Sequence, residues 1–135
     1  MDQRPKPIVL AVDDDTAMLT LLRDLLEDLG YEVKMADNGV AALKLFDEID
    51  PDIVLTDIYM ASGDGHELIS AIRGKRRLIP ILAMSGGIHS ETALEFARKL
   101  GADGIIPKPF RRADIVALID RNLLRRPPLG RTVLR

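Results

Sequence analysis

The sequence predicts an α/β fold, an open doubly wound sheet, on three observations: five apolar runs of strand length, segments of helical period between them, and turn residues at the junctions. The runs are Ile8 to Val12, Val33 to Ala36, Ile53 to Thr56, Ile81 to Met84 and Gly104 to Ile106. The first and fourth, and the third up to its closing Thr56, are continuously apolar rather than alternating, the pattern of parallel strands covered on both faces by helices. The second, Glu32-Val33-Lys34-Met35, alternates, which suits an edge strand. Between the runs lie Met18, Leu22, Leu25 and Leu29; Ala42, Leu43 and Phe46; Leu68, Ile69 and Ile72; then Ala93, Leu94, Ala97 and Leu100. Ile115, Leu118, Ile119 and Leu123 follow the last run. Spacings of three and four put each set on one helix face. Gly30 and Gly101 stand just past two of these segments, where a left-handed residue closes a helix. Asp15, Asn38 and Ser90 stand where N-caps are wanted. Strand and helix thus alternate five times, and right-handed crossovers place helices on both faces. Five such units most often take the flavodoxin-like strand order 2-1-3-4-5, the order expected here for a five-stranded parallel sheet.

The chain has 135 residues, within the roughly 100–200 of one domain. Its apolar content is 47% but only 4% is aromatic, so the core must be built from Leu, Ile, Val, Ala and Met. The expected organisation is a domain over residues 7–126, an N-terminal tail over 1–6, and a flexible tail over 127–135 after Pro127 and Pro128 end the last helix. There is no internal repeat, and this length leaves no room for a second domain. A net charge of −2 gives no general drive toward nucleic acid. The absence of cysteine excludes disulfides, thiolate metal sites and cysteine nucleophiles. No apolar run approaches the roughly 18 residues of a membrane span. The start, Met1-Asp2-Gln3-Arg4-Pro5-Lys6-Pro7, lacks the apolar core of a secretory signal, so a cytoplasmic location is expected.

In open α/β sheets, ligands bind outside the carboxyl ends of the strands, where the strand order reverses. The first strand runs out into Asp13-Asp14-Asp15, the third into Asp57, the fourth into Ser85 and the fifth into Lys108. Converging carboxylates repel one another unless a cation sits among them. Mg²⁺ suits such a set, since it prefers oxygen ligands and commonly keeps one or two protein carboxylates beside waters and phosphate oxygens. Neither histidine stands at these strand ends, which argues against zinc or copper. The Ser85 hydroxyl and Lys108 ammonium suit the peripheral oxygens of a phosphoryl group, whose transfer depends on positioning and charge neutralisation. A remaining carboxylate can then act as nucleophile.

These residues resemble the receiver domains of bacterial response regulators, including the single-domain chemotaxis type, over about residues 7 to 124. The matching pieces are Val12-Asp13-Asp14-Asp15, Asp52 to Met60 with Gly63-Asp64-Gly65, Ser85, and Gly101-Ala102-Asp103 leading to Lys108-Pro109-Phe110. The resemblance implies that Asp57 is the phosphoacceptor. It implies that Asp13, Asp14, Asp57 and the Tyr59 carbonyl hold Mg²⁺, with Asp13 acting through water. It also implies that Ser85 bonds the phosphoryl group, that Lys108 pairs with the phosphoaspartate, and that Lys108-Pro109 is cis. The implied donor is a sensor histidine kinase or histidine phosphotransfer protein. The implied output is a protein contact at the face of the fourth helix, fifth strand and fifth helix, by a monomer or a phosphorylation-dependent dimer. Two positions depart from the family pattern: Ala61 replaces a proline, and Ile105 replaces the aromatic three residues before Lys108. With that aromatic gone, the loop carrying Gly86-Gly87 is expected to report phosphorylation instead.

Other signals have plainer readings. Asp15 reads as an N-cap, and His66 and His89 as surface residues. The run Arg73, Lys75, Arg76, Arg77 reads as a solvated helix end, and the arginines of the tail as solvated too. Tyr59 either packs on the neighbouring helix or shields the site from water. Two other function classes are weighed. An aspartyl phosphatase of related fold has Asp-x-Asp-x-Thr at the first strand, where this chain has Ala17 at the threonine position. A pseudo-receiver that only binds partners is favoured by Ile105 but opposed by the intact acid, serine and lysine set.

Overall fold

The computed structural model describes residues 6–60, 63–76, 78–86 and 90–125, with the side chains of Gly63, Asp64, Ser90, Leu124 and Arg125 outside the described set. Ala61, Arg77, Gly87, His89, the Ser90 cap, residues 1–5 and the expected tail over 127–135 lie outside the described residues. Five strands form the main sheet: β1 (Ile8–Val12), β2 (Glu32–Ala36), β3 (Ile53–Asp57), β4 (Ile81–Ser85) and β5 (Gly104–Pro107). Five helices connect or follow them: α1 (Thr16–Asp28), α2 (Gly39–Ile49), α3 (Gly65–Lys75), α4 (Ser90–Leu100) and α5 (Arg112–Arg125). The strands are all parallel in the order β2-β1-β3-β4-β5, as the apolar pattern predicts, and the alternating β2 lies at an edge.

Period-two alternation along the strands divides the interior into two layers. Leu10, Val12, Val54, Ile81 and Ala83 face a cluster with the apolar sides of α2, α3 and α4, among them Phe46, Ile69, Ile72 and Leu94. Val9, Ala11, Ile53, Leu55, Leu82 and Met84 face Leu19, Leu22 and Leu26 of α1 and Ile115 and Ile119 of α5. Burial at about 25 cal/mol per Å² of apolar surface makes these two layers the main source of stability. Because α1, which follows β1, and α3, which follows β3, cover opposite faces, the carboxyl ends of β1 and β3 border the switch point of the strand order.

The helix ends obey local chemistry. Asp15 Oδ1 accepts from the backbone N–H groups of Ala17 and Met18, and Asn38 Oδ1 accepts from that of Ala41, so both cap as expected. Gly30 (φ 97°) and Gly101 (φ 119°) close α1 and α4. At each, the following amide reaches back to the carbonyl five residues before it, Tyr31 to Leu26 and Ala102 to Ala97. Asp50 at the end of α2 adopts φ 51° without being glycine, a conformation that Asp tolerates better than most residues.

Arg73 corrects the sequence reading of a solvated helix end. Its guanidinium donates to Gly101 O at 3.0 and 2.7 Å, to Ile79 O at 2.6 Å and to Asp103 Oδ2 at 2.7 Å. Asp103 Oδ2 also accepts from the Ile81 N–H at 2.8 Å, so one arginine fastens the end of α3 to the end of α4 and the start of β4. Lys75 and Arg76 likewise pair with Asp47 and Asp50 of the α2 segment.

Opposite signs are expected for two glycine substitutions. A Cβ on Gly101 would lie 2.9 Å from Arg73 Cγ and Nε and would carry an unfavourable φ; Gly101→Ala should cost about 1–3 kcal/mol. A Cβ on Gly74, within α3, meets nothing within 4 Å; Gly74→Ala should gain a few tenths to about 1 kcal/mol. Urea unfolding of both variants checks the pair.

Candidate functional site

Three of the strands run one residue further than the apolar pattern alone indicates, so Asp57 is the last residue of β3, Ser85 the last of β4 and Pro107 the last of β5. Register then decides what meets. Val12 pairs with Thr56, which sets Asp13 beside Asp57, while Asp57 pairs with Met84 and Ser85 with Pro107, next to Lys108. Each of Asp13, Asp14 and Asp57 offers a carboxylate oxygen within 4.8 Å of the others. Lys108 Nζ lies 2.8 Å from Asp13 Oδ2 and 3.4 Å from Asp57 Oδ1. Asp13 and Asp57 are buried, whereas Asp14 is exposed at the rim. Asp15 caps α1 and stays out of the cluster, as expected.

Among the described residues, the Lys108 ammonium stands against the carboxylates of Asp13 and Asp57. Burial pushes the Asp57 carboxyl up to about 6, the Asp13 charge adds to that rise, and Lys108 and the Ile58 N–H oppose it. Burial works against the charge on Lys108, but its bond to Asp13 and the nearby Asp57 and Asp13 charges outweigh it, so its pKa is raised. A half-buried acid set of this kind fits a hard divalent cation with oxygen ligands, which would relieve the repulsion holding Asp57 up. Asp13 is already half engaged, one oxygen on Lys108 and the other accepting from the Asp15 N–H at 3.0 Å.

Ser85 stands beside the acids. Its Oγ lies 3.5 Å from Gly86 O, long for an O–H···O bond, so the hydroxyl is available to a stronger acceptor. Its carbonyl accepts from the Lys108 N–H at 2.7 Å, which ties the serine and lysine loops together. The Lys108–Pro109 peptide is cis. Gly86 lies close against the lysine: a Cβ there would stand 3.2 Å from Lys108 Cβ, a tight contact. Tyr59 is 54% exposed.

Three features escaped the sequence reading. Tyr59–Met60 and Gly63–Asp64 form a two-residue antiparallel ribbon beyond β3, too short to carry a periodic signal. Thr56, a polar residue in an apolar strand, is buried and donates to Asp57 O at 2.9 Å. His66 is not a plain surface residue; its half-buried ring bonds α4 through Ala93 O at 3.0 Å and meets the Phe96 ring edge-on. Gly65, which the motif includes, presses on the acid's own backbone: a Cβ there would lie 2.2 Å from Asp57 O.

Residues 9–120 match the family described as the response regulator receiver domain. The chain is 40% identical over 111 residues to the chemotaxis protein CheY of Halobacterium salinarum, covering 82% of this chain and 92% of that protein. It is 37% identical over 118 residues to the transcriptional regulatory protein CpxR of Escherichia coli, but spans only 49% of that longer protein. Among solved structures, a CheY-like receiver domain protein from Methanospirillum hungatei superposes with a TM-score of 0.84 at 29% identity, over 90% of this chain and 96% of that one. The family match over most of the chain agrees with the five-stranded order and the strand-end acids reached independently from the residues: this protein belongs to the response-regulator receiver domains of two-component phosphorelay signalling.

Proposed function

We propose that Asp57 accepts a phosphoryl group from a sensor histidine kinase or histidine phosphotransfer protein, in a Mg²⁺-dependent reaction, and that residues 7–126 form the working domain. The observation that carries this reading is the meeting of Asp13, Asp14 and Asp57 oxygens within 4.8 Å beside the Lys108 ammonium. An Asp57 carboxylate oxygen attacks phosphorus in line, the P–N bond of the phosphohistidine breaks, and its electron pair returns to the imidazole. Asp13, Asp14, Asp57 and the Tyr59 carbonyl would hold the Mg²⁺. When bound, the ion supplies charge neutralisation for the phosphoryl oxygens. Ser85 turns its loosely held hydroxyl toward one phosphoryl oxygen, and Lys108 exchanges a carboxylate partner for the phosphoaspartate. The same groups promote loss of the phosphoryl group to water, so the chain catalyses only its own modification and its reversal.

The output is contact with a downstream protein through the α4–β5–α5 face, by a monomer or a phosphorylation-dependent dimer, in the cytoplasm. No helix among the described residues is long and apolar enough to cross a membrane. The glycine-bearing loop after Ser85 joins the site to α4 and is one route for the signal.

Incubation with acetyl phosphate and Mg²⁺ should add one phosphoryl group by intact mass, and Asp57→Ala should abolish the gain; full retention refutes the acceptor assignment. If chelation of Mg²⁺ leaves uptake unchanged, the metal assignment fails, and no uptake at all returns the chain to the class of pure interaction modules.

The acid pair also sets a pH dependence. The folded-state pKa of Asp57, about 6, lies above its ordinary 3.8, so the folded protein holds this proton more tightly. That contribution is present below about pH 4 and lost as pH rises through 6. In chelator at pH 8, Asp57→Asn should therefore be more stable than the parent by about 1–2 kcal/mol after allowance for solvent screening. The gap should close near pH 4, and urea titrations at both values read it. Finally, Tyr59→Ala should shorten the phosphorylated half-life by opening the site to water; equal half-lives would remove the shielding role.

A further inference from the structure

Building on the reading that Asp57 is phosphorylated, we infer that His66 is a positioning residue that carries the state of Asp57 to α4. The backbone of Asp57 and the start of α3 are in hard contact. Besides the 2.2 Å that a Gly65 Cβ would leave to Asp57 O, it would leave only 2.7 Å to Ile58 Cα, and the Gly65 N–H donates to Ile58 O at 2.7 Å. Asp57 O is further held by Thr56 Oγ1, and the Ile58 N–H is held by Met84 O at 3.0 Å. A change at Asp57 that moves its backbone therefore moves the first turn of α3.

The next residue in that turn is His66. Its Nε2 lies 3.0 Å from Ala93 O, a pure acceptor, so Nε2 carries the hydrogen and donates. The ring meets Phe96 edge-on, centroids 4.8 Å apart at 77°. Ala93 and Phe96 are three residues apart on α4, so one imidazole grips one side of that helix. A displacement of about 0.5 Å would take this bond to the edge of hydrogen-bonding range. Ala93 is buried, whereas Phe96 is half exposed, so the grip begins in the interior and ends on a ring that faces outward. Ile105 on β5 is aliphatic, and His66 with Phe96 is the aromatic pair found among the described residues. The route from Asp57 to α4 through Gly65 and His66 uses no residue of the loop after Ser85.

The test compares the full chain with His66→Leu and His66→Gln, each phosphorylated from acetyl phosphate with Mg²⁺, with uptake read by intact mass and α4 amide exchange by mass spectrometry. Leucine keeps bulk but cannot donate, whereas glutamine can place an N–H near Ala93 O. The expected result is parental phosphoryl uptake in both variants, at least a threefold smaller phosphorylation-dependent change in α4 exchange for His66→Leu, and recovery of most of it in His66→Gln. A merely structural role would alter exchange equally with and without phosphorylation and leave that difference unmoved. Full uptake with a parental α4 response in His66→Leu overturns the inference alone, whereas no uptake by the parent overturns the Asp57 reading and the inference with it. Should His66→Leu not fold, the ring ¹⁵N resonances of His66 in the parent chain decide. They should shift on phosphorylation, and fixed resonances overturn the proposal.

Discussion

The placement of Asp13 beside Asp57 depends on one constraint, the parallel register between β1 and β3. Backbone hydrogen bonds along the two strands fix Val12 against Thr56, and the two acids have nowhere else to go. Burying two like charges side by side is unfavourable by itself, so the fold must supply compensation. Lys108 supplies it from the end of β5, three places from β1 and two from β3 in the sheet order, and its loop is in turn held to Ser85 and packed on Gly86. A site assembled from strand ends inherits the rigidity of the sheet, which is what positioning chemistry needs.

Much of this was legible in the residues. The three continuously apolar runs and the alternating second run dictate which strands are central and which is an edge, and the structure has them so. Asp13, Asp57, Ser85 and Lys108 could be assigned to one edge because in a parallel sheet all carboxyl ends point the same way. The cluster is therefore a consequence of chain direction, which a sequence does carry.

What was not legible turns on partners distant in sequence. Arg73 looks like any cation at a helix end until the carbonyls of Gly101 and Ile79 are seen beside it, and no local pattern announces them. His66 is polar and lies in a helical first turn, so its surroundings depend on how α4 is seated, which spacing within α3 does not encode. The ribbon of Tyr59–Met60 with Gly63–Asp64 fails differently, because two residues per arm cannot show a period of two. Asp50 took a left-handed conformation that composition alone would have reserved for glycine.

The two apolar layers have no side chain in common. The sheet between them works as a partition, with α2, α3 and α4 packed on one face and α1 and α5 on the other. A surface that runs from α4 over the edge strand β5 to α5 therefore joins helices seated in different layers, and only the sheet's rim connects them.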